Sequence, residues 1–190
     1  MNFKLTITNI LILISFIATI FAYYIPSLYI FWINNYFLKD GVYYIYIIQF
    51  FTGTFLHGSF FHFWANALFL FLFWNILELM MWRNKYVLFF LFITLFDWIG
   101  LSLLSNWNTI WISWFCMALI SYYTLELKYK NNPEYKWWIT ALIINIWIGF
   151  VPWISLLWHL LGAIWGVLYY FLNKKYLKLQ LVWEIKAIKS

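Results

Sequence analysis

Five polar residues stand out against an apolar background: His57, His62, Asn66, Ser113 and His159. A serine beside an imidazole offers a nucleophile with its general base, because the ring can take the hydroxyl proton and later return it to a leaving group. His62 and Asn66 are four residues apart, so on a helix they share a face one turn apart, and their side-chain N–H groups suit a developing oxyanion. Each residue alone has a plainer role. A serine in a membrane helix usually bonds its own backbone one turn back, and a histidine at an interface often packs with its polar edge in water. Ionisable groups inside an apolar span are costly, however, and by default mark function.

The elements that must position these groups are set by composition. Of 190 residues, 66% are hydrophobic and only 9% are charged, a balance that no water-exposed domain sustains. The chain is expected to be an all-α membrane protein forming a single domain over 1–190, with no repeat and no linker. Six apolar segments long enough to approach or span roughly 30 Å of hydrocarbon are predicted as helices: Leu5–Tyr23, Phe60–Met81, Tyr86–Leu104, Thr109–Leu125, Trp137–Val151 and Ile154–Leu172. Helices are required because backbone polar groups in lipid need internal partners, and the segments lack the period-two alternation of barrel strands. The first segment is read as a span and not a cleaved leader, because Phe21 to Pro26 offers no small-residue cleavage pattern.

Charge sets the orientation. Lys4, Arg83, Lys85, Lys128, Lys130, Lys136, Lys174, Lys175 and Lys178 all fall on one side of a six-span chain, and the opposite connections carry only Lys39. The positive-inside rule then places both termini in the cytoplasm, in a multi-pass protein of the cell membrane. The net charge of +6 is accounted for by this topology, and no nucleic-acid surface is expected. With that orientation Ser113 and His159 come to similar depth in the outer half on the fourth and sixth segments, His159 about 8 Å below the mouth. His62 and Asn66 lie near that depth on the second, and His57 lies in the outer loop before it.

The motifs on these segments resemble the rhomboid family of intramembrane serine proteases. His57-Gly-Ser-Phe-Phe-His62-Phe-Trp-Ala-Asn66 matches the family's H-x4-H-x3-N, and Glu78 falls where many bacterial members carry a glutamate. Ser113 falls where the nucleophile opens the fourth helix, and His159-Leu-Leu-Gly162-Ala-Ile-Trp-Gly166 matches H-x2-G-x3-G. The resemblance covers about 49–173, leaving 174–190 as a tail that alternates Lys with apolar residues and suits the inner membrane surface. It implies a six-transmembrane-helix rhomboid-like bundle that cleaves transmembrane protein substrates near the outer face of the lipid bilayer. Ser113 would be the nucleophile, His159 the base, His62 and Asn66 oxyanion donors beside the Ser113 amide, and His57 a group ordering the site. Gly162 and Gly166 would let the fourth and sixth helices approach closely.

The chain departs from the family at the nucleophile. The family reads G-x-S-G, whereas this sequence reads Trp111-Ile112-Ser113-Trp114. An indole at Trp114 is expected to pack on the small surface of Gly162, Ala163 and Gly166, leaving a narrower site. The alternative is a catalytically inactive rhomboid-like protein that binds membrane clients. A transporter using His159, His62 and Asp97 would be a third class, but inverted repeats and paired broken helices are missing from the sequence. No metal and no organic cofactor is called for, since His57 and His62 have no third ligand nearby and Ser-His chemistry needs none. Cys116, the single cysteine, excludes an intramolecular disulfide and reads as a small core residue. Asp97, in the middle of the third segment, needs a partner that the sequence does not name. Glu78 is expected to pair with Arg83 or to reach water. The segment from Tyr24 to Gln49, rich in Tyr, Phe and Ile, is predicted as a loop partly embedded in the outer leaflet, either flanking the path of substrate entry or simply interfacial, with Asn34, Asn35, Lys39, Asp40 and Gly41 at its wet tip.

Overall fold

A computed structural model of the chain describes residues 6–104, 112–150 and 156–189, and the side chains of these except for residues 72–75, 102 and 176–189. The regular elements among the described residues are helical. They are α1 (Ile7–Tyr24), a 3-10 turn over Pro26–Phe31, the short α2 (Tyr36–Lys39), α3 (Tyr43–Thr52), α4 (Phe60–Met81), α5 (Arg83–Leu104), α6 (Ser113–Tyr129), α7 (Tyr135–Ile148) and α8 (Leu156–Lys189). Long helices therefore stand where the six apolar segments were predicted. Three stretches, Ile7–Tyr24, Arg83–Leu101 and Leu156–Lys175, are long and apolar enough over their described residues to cross a bilayer. The expected ends Thr109, Val151 and Ile154 lie outside the described residues.

Caps and breaks are local. Thr6 takes the Asn9 amide at the start of α1, and Ser59 takes the His62 amide at the start of α4, each at a distance near 3 Å that satisfies one orphan N–H of the first turn. Between α4 and α5 only Trp82 intervenes, and its φ of 63° breaks the helix. The helical assignment of α8 runs unbroken over 34 residues, which corresponds to about 51 Å along the axis. The segment 174–190, read from sequence as a separate tail, thus continues the last helix as far as Lys189.

The core is organised around α6. Thirteen of its 17 residues are buried, so neighbours enclose it on nearly every side. Its tightest neighbour is α8, where an added Cβ on Gly162 would fall on the Trp114 carbonyl and one on Gly166 on the Ala118 carbonyl. Two main chains in contact cannot yield to a side chain, so only glycine fits at those two points. From α5, Phe89 and Phe90 pack against Phe115, with ring centroids 5.5 and 4.9 Å away.

One end of the bundle gathers the basic residues. There Glu126 of α6 binds Lys174 of α8 at 2.9 Å and Lys130 at 3.5 Å, and Asn173 donates to Tyr122 at 2.9 Å. Tyr169 donates to the Lys85 carbonyl at 3.2 Å, joining α8 to the start of α5. Glu78, at the end of α4, accepts from the amides of Ile7 and Thr8 and from the Thr8 hydroxyl at 3.0 to 3.2 Å. The expected pairing with Arg83 is present at 3.6 Å, but the carboxylate is buried and does not reach for water. Its main partner is the amino end of α1, where a negative charge is favoured by the helix dipole.

The linker from Tyr24 to Gln49, predicted as a loop, is built of short helices with its own pins. Gln49, fully buried, donates to the Ile30 carbonyl at 2.9 Å and accepts the Asn34 amide at 3.4 Å. Gly53 presses against the Ile33 side chain, so the linker folds back on α3. A propensity reading misses this because the pins join residues 15 to 19 positions apart.

Candidate active site

At the end of the bundle opposite the basic cluster, four helices converge on a cavity of about 170 Å³. His62 and Asn66 of α4, Ser113 of α6, Asn145 of α7 and His159 of α8 line it, with Phe69, Cys116 and Met117 supplying apolar wall. Four of the residues singled out from sequence are therefore brought together. His57 is not in this cavity. It sits behind it, lining a tight void with Ser15, Asn66 and Ile112 that has no room for water.

Ser113 is the first residue of α6, with Ile112 at the cap position and no side-chain cap. The Phe115 and Cys116 amides both donate to the Ile112 carbonyl, at 3.0 and 3.2 Å, and the positive end of the helix lies beside the Ser113 side chain. Ser113 Oγ is buried and makes no hydrogen bond to a described residue. The backbone one turn back, which was the plainer expected partner for a membrane serine, lies outside the described residues.

The orientation of His159 is settled by a partner the sequence did not reveal. Its Nδ1 lies 2.6 Å from the carbonyl oxygen of Asn145 on α7. A carbonyl can only accept, so Nδ1 carries the proton and a neutral ring keeps its Nε2 lone pair. The Asn145 side chain meanwhile donates to the Ala141 carbonyl at 2.8 Å, one turn back. A polar residue inside the fifth apolar segment was a signal for Asn145. That its carbonyl and not its side chain meets the histidine had no signal, because every residue has a carbonyl.

Asn66 donates one amide hydrogen to the His62 carbonyl at 3.2 Å, which fixes the plane of its side chain and leaves a second N–H. The His57 ring meets the His62 ring at 5.2 Å in an edge-on arrangement and Phe63 at 5.5 Å. Its Nδ1 lies 3.1 Å from the Phe55 carbonyl and 3.3 Å from Thr19 Oγ1 on α1. Burial of His57, in the linker before α4, pushes its imidazole down to about 4, only partly offset by the Phe55 bond, so the ring is neutral at pH 7.

Trp114, the indole beside the serine, is 1% exposed and does not line the cavity. It was expected to lay its ring on the small residues of α8. The contact found at Gly162 is made by the Trp114 main chain, and the ring lies 6.0 Å from Phe115 in the core. Trp111 lies outside the described residues. Among the described residues no cluster of three metal-ligating side chains occurs.

Ser113 and His159 thus share one cavity at an end of an apolar helical bundle. Residues 45–176 match the rhomboid domain family, and the match covers well over half of the chain. The chain belongs to the rhomboid family. Members of that family are generally intramembrane serine proteases acting on membrane proteins within the bilayer, and the family includes inactive homologues. No curated protein matches the chain significantly.

Proposed function

We propose that this chain is an intramembrane serine endopeptidase that cleaves transmembrane substrate helices with a Ser113–His159 dyad. The observation that carries the reading is the Asn145 carbonyl on His159 Nδ1, which leaves Nε2 as a proton acceptor in the same cavity as a serine hydroxyl without a partner among the described residues. In the reaction Ser113 Oγ bonds to the scissile carbonyl carbon while its proton passes to His159 Nε2. The negative charge that forms on the carbonyl oxygen faces the amides at the start of α6 and the side chains of His62 and Asn66. His159 then protonates the departing amine as the C–N bond breaks, and water, deprotonated by the same ring, hydrolyses the acyl enzyme.

Six helices crossing the bilayer, both termini in the cytoplasm and the cavity in the outer half complete the proposal. The gathering of Arg83, Lys85, Lys130 and Lys174 at one end supports this orientation. A reporter fused after Ser190 is expected to read the cytoplasm and one inserted near Asp40 the exterior. Reversed signals would refute the orientation.

The second reading, an inactive homologue that binds membrane clients, is favoured by one observation: an indole stands directly after the serine where the family has glycine. Cleavage of a helix-destabilised transmembrane substrate by the purified protein in liposomes separates the two. Ser113→Ala and His159→Ala are each expected to remove nearly all turnover, and the double variant to be little worse, because the two groups act as a unit. A fluorophosphonate probe should label the parent and not Ser113→Ala. Cleavage that survives Ser113→Ala would sink the assignment, and an inert, unlabelled parent would favour the inactive homologue.

A further inference from the structure

The hydrogen bond that fixes His159 depends on how α7 ends. In a regular α-helix the Asn145 carbonyl would accept the amide four residues on, which is that of Gly149. The Gly149 amide donates instead to the Ile146 carbonyl at 2.9 Å, and the Phe150 amide to the Trp147 carbonyl at 3.0 Å, so the helix closes on a tighter turn with a span of three. That turn releases the Asn145 carbonyl from its helical partner, and His159 Nδ1 takes it at 2.6 Å.

Gly149 also sets how closely α8 approaches. A Cβ added there would lie 2.5 Å from Leu156 Cα and 2.9 Å from both Leu156 N and the Ile146 carbonyl oxygen, all of them main-chain atoms that no rotamer can move aside. Its φ of −61° is one that any residue adopts, so glycine is needed there for space and not for conformation. Leu156 opens α8, and His159 follows three residues on, nearly one turn along the same face. Asn145 stands one turn before Gly149 on α7. Two contacts one turn apart therefore join the helices: Gly149 against Leu156, and the Asn145 carbonyl against His159. Every residue of α7 is at least partly exposed, so these contacts weigh heavily in holding its end on α8.

We propose that Gly149 is a positioning residue for His159. Having no side chain, it lets the first turn of α8 rest on the end of α7, and that approach keeps the Asn145 carbonyl on Nδ1 and leaves Nε2 as the proton acceptor. A methyl group at position 149 must push Leu156, and His159 with it, away from α7 and stretch the bond. The positioning stands on these contacts alone, and its bearing on turnover rests on the dyad proposed above.

The full chain in detergent micelles, with 15N-labelled histidine, tests this, because protonated and unprotonated ring nitrogens resonate far apart. His159→Asn assigns the signals. In the parent at neutral pH His159 is expected to hold its proton on Nδ1 alone. Gly149→Ala should convert part of it to the Nε2–H form, since the partner that selects the tautomer has been drawn away, while the signals of His57 stay in place. Leu156→Pro reaches the same contact from α8 and should act in the same sense, because proline is tolerated in the first turn of a helix and adds a ring carbon to the nitrogen facing Gly149. Gly100→Ala, whose Cβ would meet only the end of the Leu161 side chain at 3.3 Å, should leave His159 unchanged. A pure Nδ1–H ring in either Gly149→Ala or Leu156→Pro, once folded, overturns the proposal, and so does an Nε2–H ring in the parent. Where the parent cleaves substrate, Gly149→Ala should lower kcat by about tenfold to 10²-fold with KM nearly unchanged, and a loss carried by KM alone would equally overturn it. The spectra decide the question even if the parent proves inert. A shifted tautomer in an inert protein upholds the role of Gly149 and refutes the dyad, and a fixed tautomer in an active one does the reverse.

Discussion

Replacing Gly162 with alanine adds one methyl group at the closest approach of the two helices that carry Ser113 and His159. The new Cβ would coincide with the Trp114 carbonyl, whose carbonyl carbon and Cα are also within 3 Å. All three atoms are main chain, so no rotamer relieves the clash and α6 and α8 must separate. Overpacking of this kind costs about 1 to 3 kcal/mol, or more where backbone must shift. Against it stands a helix-propensity gain of about 1 kcal/mol for alanine over glycine. Gly100→Ala is the internal control, because its Cβ would meet only the end of the Leu161 side chain at 3.3 Å, leaving the propensity gain nearly intact. Thermal unfolding in detergent should therefore rank Gly162→Ala below the parent and Gly100→Ala at or above it. Gly166→Ala strains the same seam one turn away, so the double variant should fall short of the sum of the singles, since one separation relieves both clashes. Turnover should drop with Gly162→Ala because the serine and histidine ride on the helices being parted. Equal stability of Gly162→Ala and the parent, or greater damage from Gly100→Ala, would refute this account of the seam.

Two further outcomes follow from the same contacts. Glu78→Ala leaves the Ile7 and Thr8 amides without their acceptor and should cost about 1 to 3 kcal/mol, read as a lower unfolding temperature; Glu78→Gln, which keeps an acceptor oxygen, should cost less. Trp114→Gly empties a buried indole site and should lower stability by about 3 kcal/mol or more, yet the residue lies outside the cavity, so serine-probe labelling of the parent should already be present before the change. Labelling that appears only after Trp114→Gly would show the indole to be an obstruction.

The membrane class, the helical elements and most of the polar lining of the candidate cavity were legible in the sequence because each rests on local spacing. A hydrophobic run of about 20 residues can only be a helix in lipid, a four-residue step places Asn66 one turn from His62, and Gly162 with Gly166 marks one face. The same logic put the basic residues at one end. Tertiary structure alone decided which nitrogen of His159 is free, because the partner is a carbonyl 14 residues away on another helix and carbonyls carry no residue identity. It alone turned Glu78 from a surface ion pair into the cap of α1, a bond across 70 positions of chain. It folded the linker from Tyr24 to Gln49 on a buried glutamine, and set His57 behind the cavity and not in it. Periodicity tells which side of a helix a residue occupies. What stands opposite that side depends on how the helices pack, and the neighbours of Ser113 and His159 are decided there.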